Sequence, residues 1–283
     1  MISLNKMKQN LKYYLKNKLT KKEMKLAPSS FDAVGDILIF SDFPKELIKK
    51  EKIIGQTILK NYPHIKTVLK KTKKYSGRFR TPKLKVIVGE KRKETICKEN
   101  NVFIKLDVEK VYFSPRMSSE RKRITYLIKP NESILVMFSG AAPYPLVIAK
   151  NTKCKEVYGI EINPIAYKYA LENIKNNKLE NKIKLFFGNV KKIMPKLNKE
   201  FDRILMPLPR GGEDFLDLAL KYIKSKGIIH FYDFLHEAEF YKAEEKAKDI
   251  CIKLKKKCKI IKVIKCGQYS PRFYRVCVDF FVD

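Results

Sequence analysis

The residues best suited to chemistry follow predicted strands in the second half of the chain. An apolar run at 134–137 predicts a buried strand, and the small residues Phe138, Ser139, Gly140, Ala141, Ala142 and Pro143 end it. A helical stretch at 146–150 leads to a second strand at 157–160, which ends in Glu161. This order is typical of a nucleotide-binding βαβ unit, which consists of a strand, a small-residue turn, a helix and a second strand that ends in an acid. In such a unit the carboxylate accepts hydrogen bonds from a ribose diol.

The turn after the first strand argues against a pyrophosphate ligand. A dinucleotide loop has the pattern G-x-G-x-x-G, and here only Gly140 is present, followed by Ala141 and Ala142. A ligand that contains adenosine but no phosphate, S-adenosylmethionine, fits this loop better. An ordinary βαβ crossover without a ligand is the alternative on this stretch alone.

Two further strand ends add polar and restrained residues to the same predicted edge. A strand at 183–187 ends in Gly188, Asn189 and Val190, where a side-chain amide can reach an adenine edge, and a strand at 201–206 ends in Pro207. Ligands of open parallel sheets lie at the carboxyl ends of the strands near the switch point, so four loops converge on one place. The predicted cofactor-binding residues are Phe138, Ser139, Gly140, Ala141, Pro143, Glu161, Ile162, Asn189, Val190 and Pro207.

The elements of the second half define its fold class. Helices are predicted at 164–177, 213–224 and 237–255, a buried strand at 228–232, and an antiparallel pair at 259–264 and 274–282. Strands that alternate with helices and end in a hairpin predict an α/β fold: a class I, Rossmann-like methyltransferase domain with a mixed seven-stranded sheet, over residues 114–283.

A small α+β domain is predicted at 31–113, with a helix at 44–61 and strands at 34–40, 67–70, 84–88, 95–97 and 102–107. A loop is predicted at 70–80. It contains Lys70, Lys71, Lys73, Lys74, Arg78 and Arg80 around Tyr75, Gly77 and Phe79. Such a cluster can bind phosphates and stack on bases, although a solvated hairpin tip is an equal alternative. The basic segment at 1–30 is expected to be a helix or a frayed arm.

Composition indicates a globular protein with an anionic partner. The chain has 283 residues, 45% of them hydrophobic, and 62 Lys and Arg against 30 Asp and Glu give a formal net charge of +32. This excess of positive charge favours nucleic acid as the partner, with a lysine bias spread over solvated faces as the alternative.

Neither the six cysteines nor the three histidines have metal-ligand spacing, so no metal site is expected. No signal peptide or membrane span is predicted, which favours a cytoplasmic protein.

Several motifs resemble one family, the archaeal and eukaryotic tRNA (guanine-37-N1)-methyltransferases of the class I, non-knotted type. These motifs are Tyr112-Phe113-Ser114-Pro115-Arg116 with Glu120-Arg121, the loop at 137–144, Gly159 to Pro164, His230-Phe231-Tyr232, Tyr269-Ser270-Pro271-Arg272 and Ser76-Gly77-Arg78-Phe79-Arg80. The resemblance covers about residues 31–283. It implies S-adenosylmethionine as cofactor, a tRNA anticodon loop with its position 37 as substrate, and a monomer.

The resemblance also implies catalytic residues. Glu120 matches the general base that removes the N1 proton of guanine, and Arg80 matches the arginine that holds the target base, with Arg116 nearby as support. A positioned carboxylate and a cation near O6 would lower the barrier, because protonated N1 is a poor nucleophile. The target base must be flipped out to reach N1.

Two departures from the family bear on the product. The family's N-terminal domain is missing or reduced to residues 1–30, and Met206-Pro207-Leu208-Pro209 stands where most members have Asn-Leu-Pro. An archaeal branch with proline at the place of Pro207 is more similar, and some of its members also methylate C7 of 4-demethylwyosine at position 37. A sister family transfers an aminocarboxypropyl group, but it usually lacks an arginine at the place of Arg116. A non-catalytic RNA-binding relative is the third alternative.

Overall fold

A computed structural model describes residues 4–283, without the side chains of residues 4–9 and 74–76. Of the predicted basic cluster, the side chains of Lys74 and Tyr75 therefore lie outside the described residues, as do the first three residues of the N-terminal segment. Backbone proximity divides the chain into two units. The first comprises the described residues up to Lys98 together with Lys105–Pro115, and the second comprises Glu99–Ile104 and Arg116–Asp283.

The first unit is a four-stranded sheet with helices. Its elements are α1 (Leu4–Leu15), α2 (Lys21–Lys25), β1 (Phe31–Val34), β2 (Ile37–Phe40), α3 (Glu51–Asn61), β3 (Thr67–Ser76) and β4 (Thr81–Gly89). The sheet order is β1-β2-β3-β4, with β2 and β3 parallel and the outer pairs antiparallel. β5 (Glu94–Glu99) and β6 (Val102–Asp107) form a separate two-stranded sheet.

The described part of the N-terminal segment is helical and contributes to the core of the first unit. Leu11 and Leu15 of α1 are fully buried, in the same apolar cluster as Phe31 and Ile54. Spacing of four residues places both leucines on one face of the helix, while Lys12 is exposed. Burial of this face outweighs the mutual repulsion of the lysines, so α1 is a packed helix.

The predicted loop at 70–80 is wrong. β3 extends to Ser76 and β4 begins at Thr81, so most of this stretch is a hairpin with its turn at residues 77–80. The polar character of this stretch predicted a loop. The long stem of lysine lets the ammonium group reach solvent from a paired strand, as exposed Lys73 does opposite Lys83.

The second unit contains the predicted mixed seven-stranded sheet, and the class I methyltransferase fold is confirmed. Its helices are α4 (Ser118–Leu127), α5 (Pro143–Asn151), α6 (Pro164–Asn176), α7 (Val190–Leu197), α8 (Leu216–Tyr222) and α9 (Tyr241–Lys253). Its strands are β7 (Ser133–Val136), β8 (Glu156–Glu161), β9 (Ile183–Phe187), β10 (Phe201–Met206), β11 (Ile223–His236), β12 (Cys258–Ser270) and β13 (Phe273–Val282). The order is β12-β13-β11-β10-β7-β8-β9. Only β13 runs antiparallel to its two neighbours among these described strands.

Two predicted helices in the second unit have different boundaries in the structure, and one helix was not predicted. α8 ends at Tyr222 rather than 224, because β11 starts at Ile223 and pairs irregularly with β10 before the regular register from Ile228. The predicted helix at 237–255 begins with a single 3-10 turn and becomes α9 only at Tyr241. α7, which follows Asn189, was not predicted.

Within the described residues, no helix is both long and apolar enough to cross a lipid bilayer.

The burial of α1 predicts a large stability effect. Leu15→Ala should lower the free energy of unfolding by about 2–5 kcal/mol, because the side chain is fully enclosed and its loss leaves a cavity. Urea titration followed by far-UV circular dichroism measures this change. Lys12→Ala on the exposed face of the same helix is the matched control, and equal midpoints for the two variants would contradict packing of α1.

Candidate active site

Backbone hydrogen bonds join the four strand ends that the sequence predicted to converge. Ser139 N donates to Ile160 O at 3.0 Å, Met137 N to Leu205 O at 3.0 Å, and Gly188 N to Glu161 O at 2.9 Å. Because β10, β7, β8 and β9 are neighbours in the sheet, the loops that follow them lie along one edge. The structure thus brings the predicted cofactor-binding residues together.

Glu161 is anchored at the centre of this edge. One carboxylate oxygen accepts from Gly140 N and the other from Asn163 N, both at 2.7 Å. Burial raises the pKa of Glu161, although the backbone N–H groups of Asn163 and Gly140 oppose the rise. The side chain is therefore fixed in direction, and each oxygen keeps acceptor capacity for the hydroxyl groups of a ribose.

The loop after β7 has the tight geometry that its small residues permit. Gly140 has φ +57° and Ala142 has φ +67°, both in the left-handed region. Pro143 then begins α5, and Asn173 of α6 donates to the carbonyl oxygen of Ala141 at 3.1 Å. The loop is held from both sides, so its backbone can approach a ligand closely.

Ser139 provides a direct test of whether a ligand fits this edge. Its hydroxyl oxygen is buried and has no hydrogen-bond partner among the described residues. Buried polar atoms are nearly always paired, and those that are not call for a partner such as a ligand. An unpaired hydroxyl in the residue before Gly140 fits a polar cofactor that enters between the loops.

The remaining predicted cofactor residues lie on the same edge in different roles. Asn189 is partly buried, and its side-chain oxygen accepts from Lys191 N at 2.9 Å, so it caps α7. Val190 is buried and Ile162 is half-buried. Phe138 packs edge-to-face on Phe215 with ring centres 5.1 Å apart. Pro207 is half-buried and directly follows β10.

Glu120 lies inside the second unit, in the first turn of α4. It is only 3% exposed, and it makes no capping hydrogen bond at the helix start. Tyr232 Oη donates to its Oε1 at 2.7 Å, while Arg123 donates to Oε2 at 2.7 Å and to Oε1 at 2.8 Å. Tyr144 Oη in turn lies 3.0 Å from Tyr232 Oη. The carboxylate is thus oriented by a guanidinium on one side and a phenol on the other.

A chain of buried charges, which the sequence analysis missed, continues from Arg123. Arg123 donates to Asp279 at 2.6 Å, Asp279 lies 2.5 Å from His230 Nδ1, and His230 Nε2 lies 2.8 Å from Arg203. Arg203 then donates to Glu132 at 2.8 Å. An available signal was the presence of charged or polar residues inside apolar strands, such as Arg203 within Phe201–Met206.

The positions of the protons in this chain follow from which groups can donate hydrogen bonds and which can accept them. Arginine can only donate hydrogen bonds, so His230 Nε2 must accept one from Arg203. The ring proton is therefore on Nδ1, which donates a hydrogen bond to Asp279. Burial lowers the pKa of His230, even though Asp279 opposes this, so the imidazole is neutral at pH 7. Burial alone would raise the pKa of Asp279, but hydrogen bonds from His230 and Arg123 outweigh it and hold that pKa well below its usual range.

The ligand atoms of His230, Cys277 and Asp279 lie within 4.8 Å of one another, a distance compatible with metal binding. Arg123 and Arg203 both contact this trio, however. Two guanidinium groups repel a cation, and the hydrogen bonds already account for the cluster.

The two predicted catalytic arginines lie in different units. Arg116 is exposed, in the short turn (Pro115–Met117) before α4. Arg80 belongs to the first unit, at the end of the β3–β4 turn, where its φ is +49° and its backbone N–H donates to Gly77 O at 3.1 Å. The roles assigned to both residues stay predictions.

The sheet order, the anchored acid at the end of β8 and the unpaired serine after β7 define a class I S-adenosylmethionine-dependent methyltransferase. Within that class, the chain belongs to the TRM5/TYW2 family. Residues 95–261 match the family model of the TRM5/TYW2 methyltransferase domain, and residues 11–92 match the model of the TYW2 N-terminal domain.

Curated relatives include three kinds of tRNA-modifying enzyme. The chain is 37% identical over 257 residues to tRNA (guanine(37)-N(1))-methyltransferase Trm5b of Pyrococcus abyssi, covering 90% of this chain and 76% of the relative. It is 35% identical to the tRNA (guanine(37)-N(1))/4-demethylwyosine(37)-methyltransferase Taw22 of Nanoarchaeum equitans, covering 89% and 99%. It is 34% identical to a tRNA(Phe) (4-demethylwyosine(37)-C(7)) aminocarboxypropyltransferase of Methanocaldococcus jannaschii, covering 88% and 96%.

Solved structures of the same family were determined with tRNA and with cofactor. The complex of aTrm5 with tRNALeu superposes with a TM-score of 0.84 at 30% identity, over 100% of this chain and 80% of that one. TYW2 of M. jannaschii in complex with S-adenosylmethionine superposes with a TM-score of 0.69 at 27% identity, over 90% of this chain and 99% of that one.

The anchored carboxylate of Glu161 predicts pH-dependent cofactor binding. Only the ionised form accepts both ribose hydroxyls, and the pKa of Glu161 lies above the ordinary value of 4.5. Affinity for S-adenosylmethionine should therefore be full well above this raised pKa and fall as the pH is lowered through it. Isothermal titration calorimetry across this range measures the effect.

Glu161→Gln should bind the cofactor more weakly and lose the acidic decline. Glu180→Gln, at an exposed position, is the matched control and should keep the wild-type profile. If the affinity of Glu161→Gln for S-adenosylmethionine fell with pH in the same way as that of the wild type, Glu161 would be excluded as the titrating group.

Proposed function

We propose that this protein methylates N1 of guanosine at position 37 of tRNA, with S-adenosylmethionine as the methyl donor. The observation that supports this most strongly is that one unit combines the cofactor edge around Glu161 with an oriented buried carboxylate at Glu120. The family relationship to Trm5b, over 90% of the chain, supports the same reaction and substrate.

When bound, the cofactor supplies an electrophilic methyl group. The protein must then deprotonate guanine N1, because N1 bears a proton and is a poor nucleophile. The described contacts of Glu120 use three of the roughly four acceptor positions of a carboxylate, so Oε2 can still accept one N–H. Glu120 is therefore positioned to take the N1 proton.

Arg123 holds this carboxylate in place through two hydrogen bonds. Burial disfavours the charged guanidinium, but hydrogen bonds to Glu120 and Asp279 more than compensate and raise the pKa of Arg123. Tyr232, which is also buried, donates to the same carboxylate and fixes its plane. Neither group can accept the N1 proton itself, so they position Glu120 without competing with it.

The remaining roles complete the proposal. Arg80 would stabilise negative charge that develops at O6 as N1 is deprotonated, with Arg116 as a second cation near the phosphate backbone. The target base must be flipped out of the anticodon loop to reach Glu120. Pro207 limits the backbone freedom of the loop beside the base. We propose further that the protein acts as a monomer in the cytoplasm.

Methylation at C7 of 4-demethylwyosine on the same nucleotide is the second candidate function. It is favoured by the similarity to Taw22, of which the chain covers 99%, and by Pro207. Aminocarboxypropyl transfer is supported by the relative from M. jannaschii, but Arg116 favours methyl transfer over it. A non-catalytic RNA-binding role is disfavoured because Glu120 and Glu161 are both present and both oriented.

Nucleoside mass spectrometry tests the reaction. The protein and S-adenosylmethionine, incubated with tRNA that has an unmodified G37, should yield N1-methylguanosine, and a tRNA with 4-demethylwyosine tests the second function. Glu120→Gln should reduce kcat by about 10²-fold or more, the usual contribution of a general base, while cofactor affinity stays nearly unchanged.

The outcomes separate the alternatives. A mass gain equal to an aminocarboxypropyl group would overturn methyl transfer, and no gain on either tRNA would support the binding role. Equal losses of cofactor affinity and kcat in Glu120→Gln would show that Glu120 is structural.

The net charge of +32 predicts salt-sensitive RNA binding. Neutralising about three phosphates should weaken tRNA affinity roughly tenfold or more between about 50 and 200 mM salt. Filter binding measures this slope, and cofactor binding in the same buffers should change little. A flat response for tRNA would mean that the lysine excess does not serve RNA binding.

A further inference from the structure

A cavity of about 470 Å³ opens at the other half of the sheet edge in the second unit. It lies between the segment after β10, the end of β11, the tip of the β12–β13 hairpin and α9. The cofactor edge instead uses the loops after β7, β8 and β9. The cavity thus belongs to the half of the sheet that remains for the acceptor substrate, and its volume is that of an ordinary small-ligand pocket.

One wall of the cavity is a layer of aromatic rings and guanidinium groups. The rings of Phe234 and Tyr269 lie 4.6 Å apart between centres. The guanidinium of Arg210 lies 5.0 Å from the ring centre of Tyr269, and that of Arg275, which does not line the cavity, lies 4.9 Å from Phe234 and supports this ring. Tyr269 is 49% exposed, so part of its ring remains open to a ligand. Nucleobases stack on such aromatic and arginine surfaces.

The opposite wall is acidic and carries an unpaired acceptor. Lys246 contacts Asp233 at 2.6 Å and Glu213 Oε1 at 3.4 Å. Glu213 Oε2 is buried and has no hydrogen-bond partner among the described residues. A buried carboxylate oxygen without a donor is costly, so this position favours a ligand that brings an N–H group.

We propose that this cavity binds one nucleotide of the tRNA other than the one that is methylated. Its base stacks on the layer of Tyr269 and Arg210, and its exocyclic amino group donates to Glu213 Oε2. The proposal rests on tRNA being the substrate. It adds a specificity site that selects a neighbouring base by its amino group.

The side-chain alternation of β11 separates this cavity from the reacting base. Tyr232 points towards Glu120, while the next residue, Asp233, points towards Lys246 of α9. A base whose N1 reaches Glu120 lies on the Tyr232 side, so the nucleotide that meets Glu213 and Asp233 is a different one.

Single fluorescent substitutions in tRNA test the assignment. 2-Aminopurine is placed at each anticodon-loop position in turn, and its fluorescence is followed as the full-length protein is added. We expect quenching by stacking at one position other than 37, and loss of that quenching in Tyr269→Ala. Tyr241→Ala is the matched control, because Tyr241 is equally exposed but does not line the cavity.

The amino group is tested separately at the position so found. Replacing 2-aminopurine there by purine, which lacks the amino group, should weaken binding several-fold in the wild type and not in Glu213→Ala, which has no side-chain acceptor. Circular dichroism confirms that each variant is folded.

Every result decides the proposal. If Tyr269→Ala removes the quenching only at position 37, the cavity holds the reacting base. If Tyr269→Ala leaves the quenching intact at every position, the proposed site is excluded. Both readouts are binding measurements. Failure of methyl transfer with an intact quenching pattern would therefore overturn the proposed reaction alone.

Discussion

The second unit depends on one buried chain of charges that runs from Glu120 through Arg123, Asp279, His230 and Arg203 to Glu132. Each of these groups would be expensive to bury alone, and removal of one partner from a buried ion pair typically costs about 3–5 kcal/mol. The chain joins α4, which precedes the sheet in sequence, to β13, its last strand, and to β11 and β10 between them. The helix that bears the candidate base is thereby fixed to the strands that form the substrate side. The charges alternate along the chain with the neutral imidazole between Asp279 and Arg203, so each carboxylate contacts a guanidinium group.

The candidate cofactor site and the proposed nucleotide cavity lie on different halves of the sheet edge. The ends of β7, β8 and β9 present a fixed carboxylate and an unpaired serine hydroxyl, groups that suit a nucleoside with hydroxyls and polar edges. The ends of β10, β11 and the last hairpin present stacking surfaces and an unpaired carboxylate oxygen. Both unpaired atoms face regions where a ligand is expected, and both are buried, so each has a desolvation cost that a ligand would relieve.

Parts of this arrangement could be predicted from sequence because they depend on local patterns. Buried parallel strands are short apolar runs, and an acid such as Glu161 directly after one of them marks the cofactor edge. The hairpin at 70–80 could not be separated from a loop, since lysines tolerate both. The partners of Glu120 could not be predicted because Asp279 lies at the far end of the chain, and only a three-dimensional path through Arg123 connects them. The polar residues His230 and Asp279 within apolar strands were an available signal of a buried network, but they do not indicate which residues it contacts.

The loop after β10 has Pro207 where the family that the sequence resembles usually has an asparagine. An asparagine side chain would combine a fixed position with hydrogen-bonding groups in a single residue. Here Pro207 and Pro209 fix the backbone through their restricted φ angles. Gly212 then packs so closely that an added Cβ would lie 2.4 Å from the carbonyl oxygen of Leu208. This close turn brings Glu213 to the cavity, where its free oxygen provides an acceptor. Rigidity and hydrogen bonding are thus divided among successive residues of one loop. The carboxylate of Glu213 can only accept hydrogen bonds, whereas an amide can also donate them. This loop therefore favours a ligand that donates.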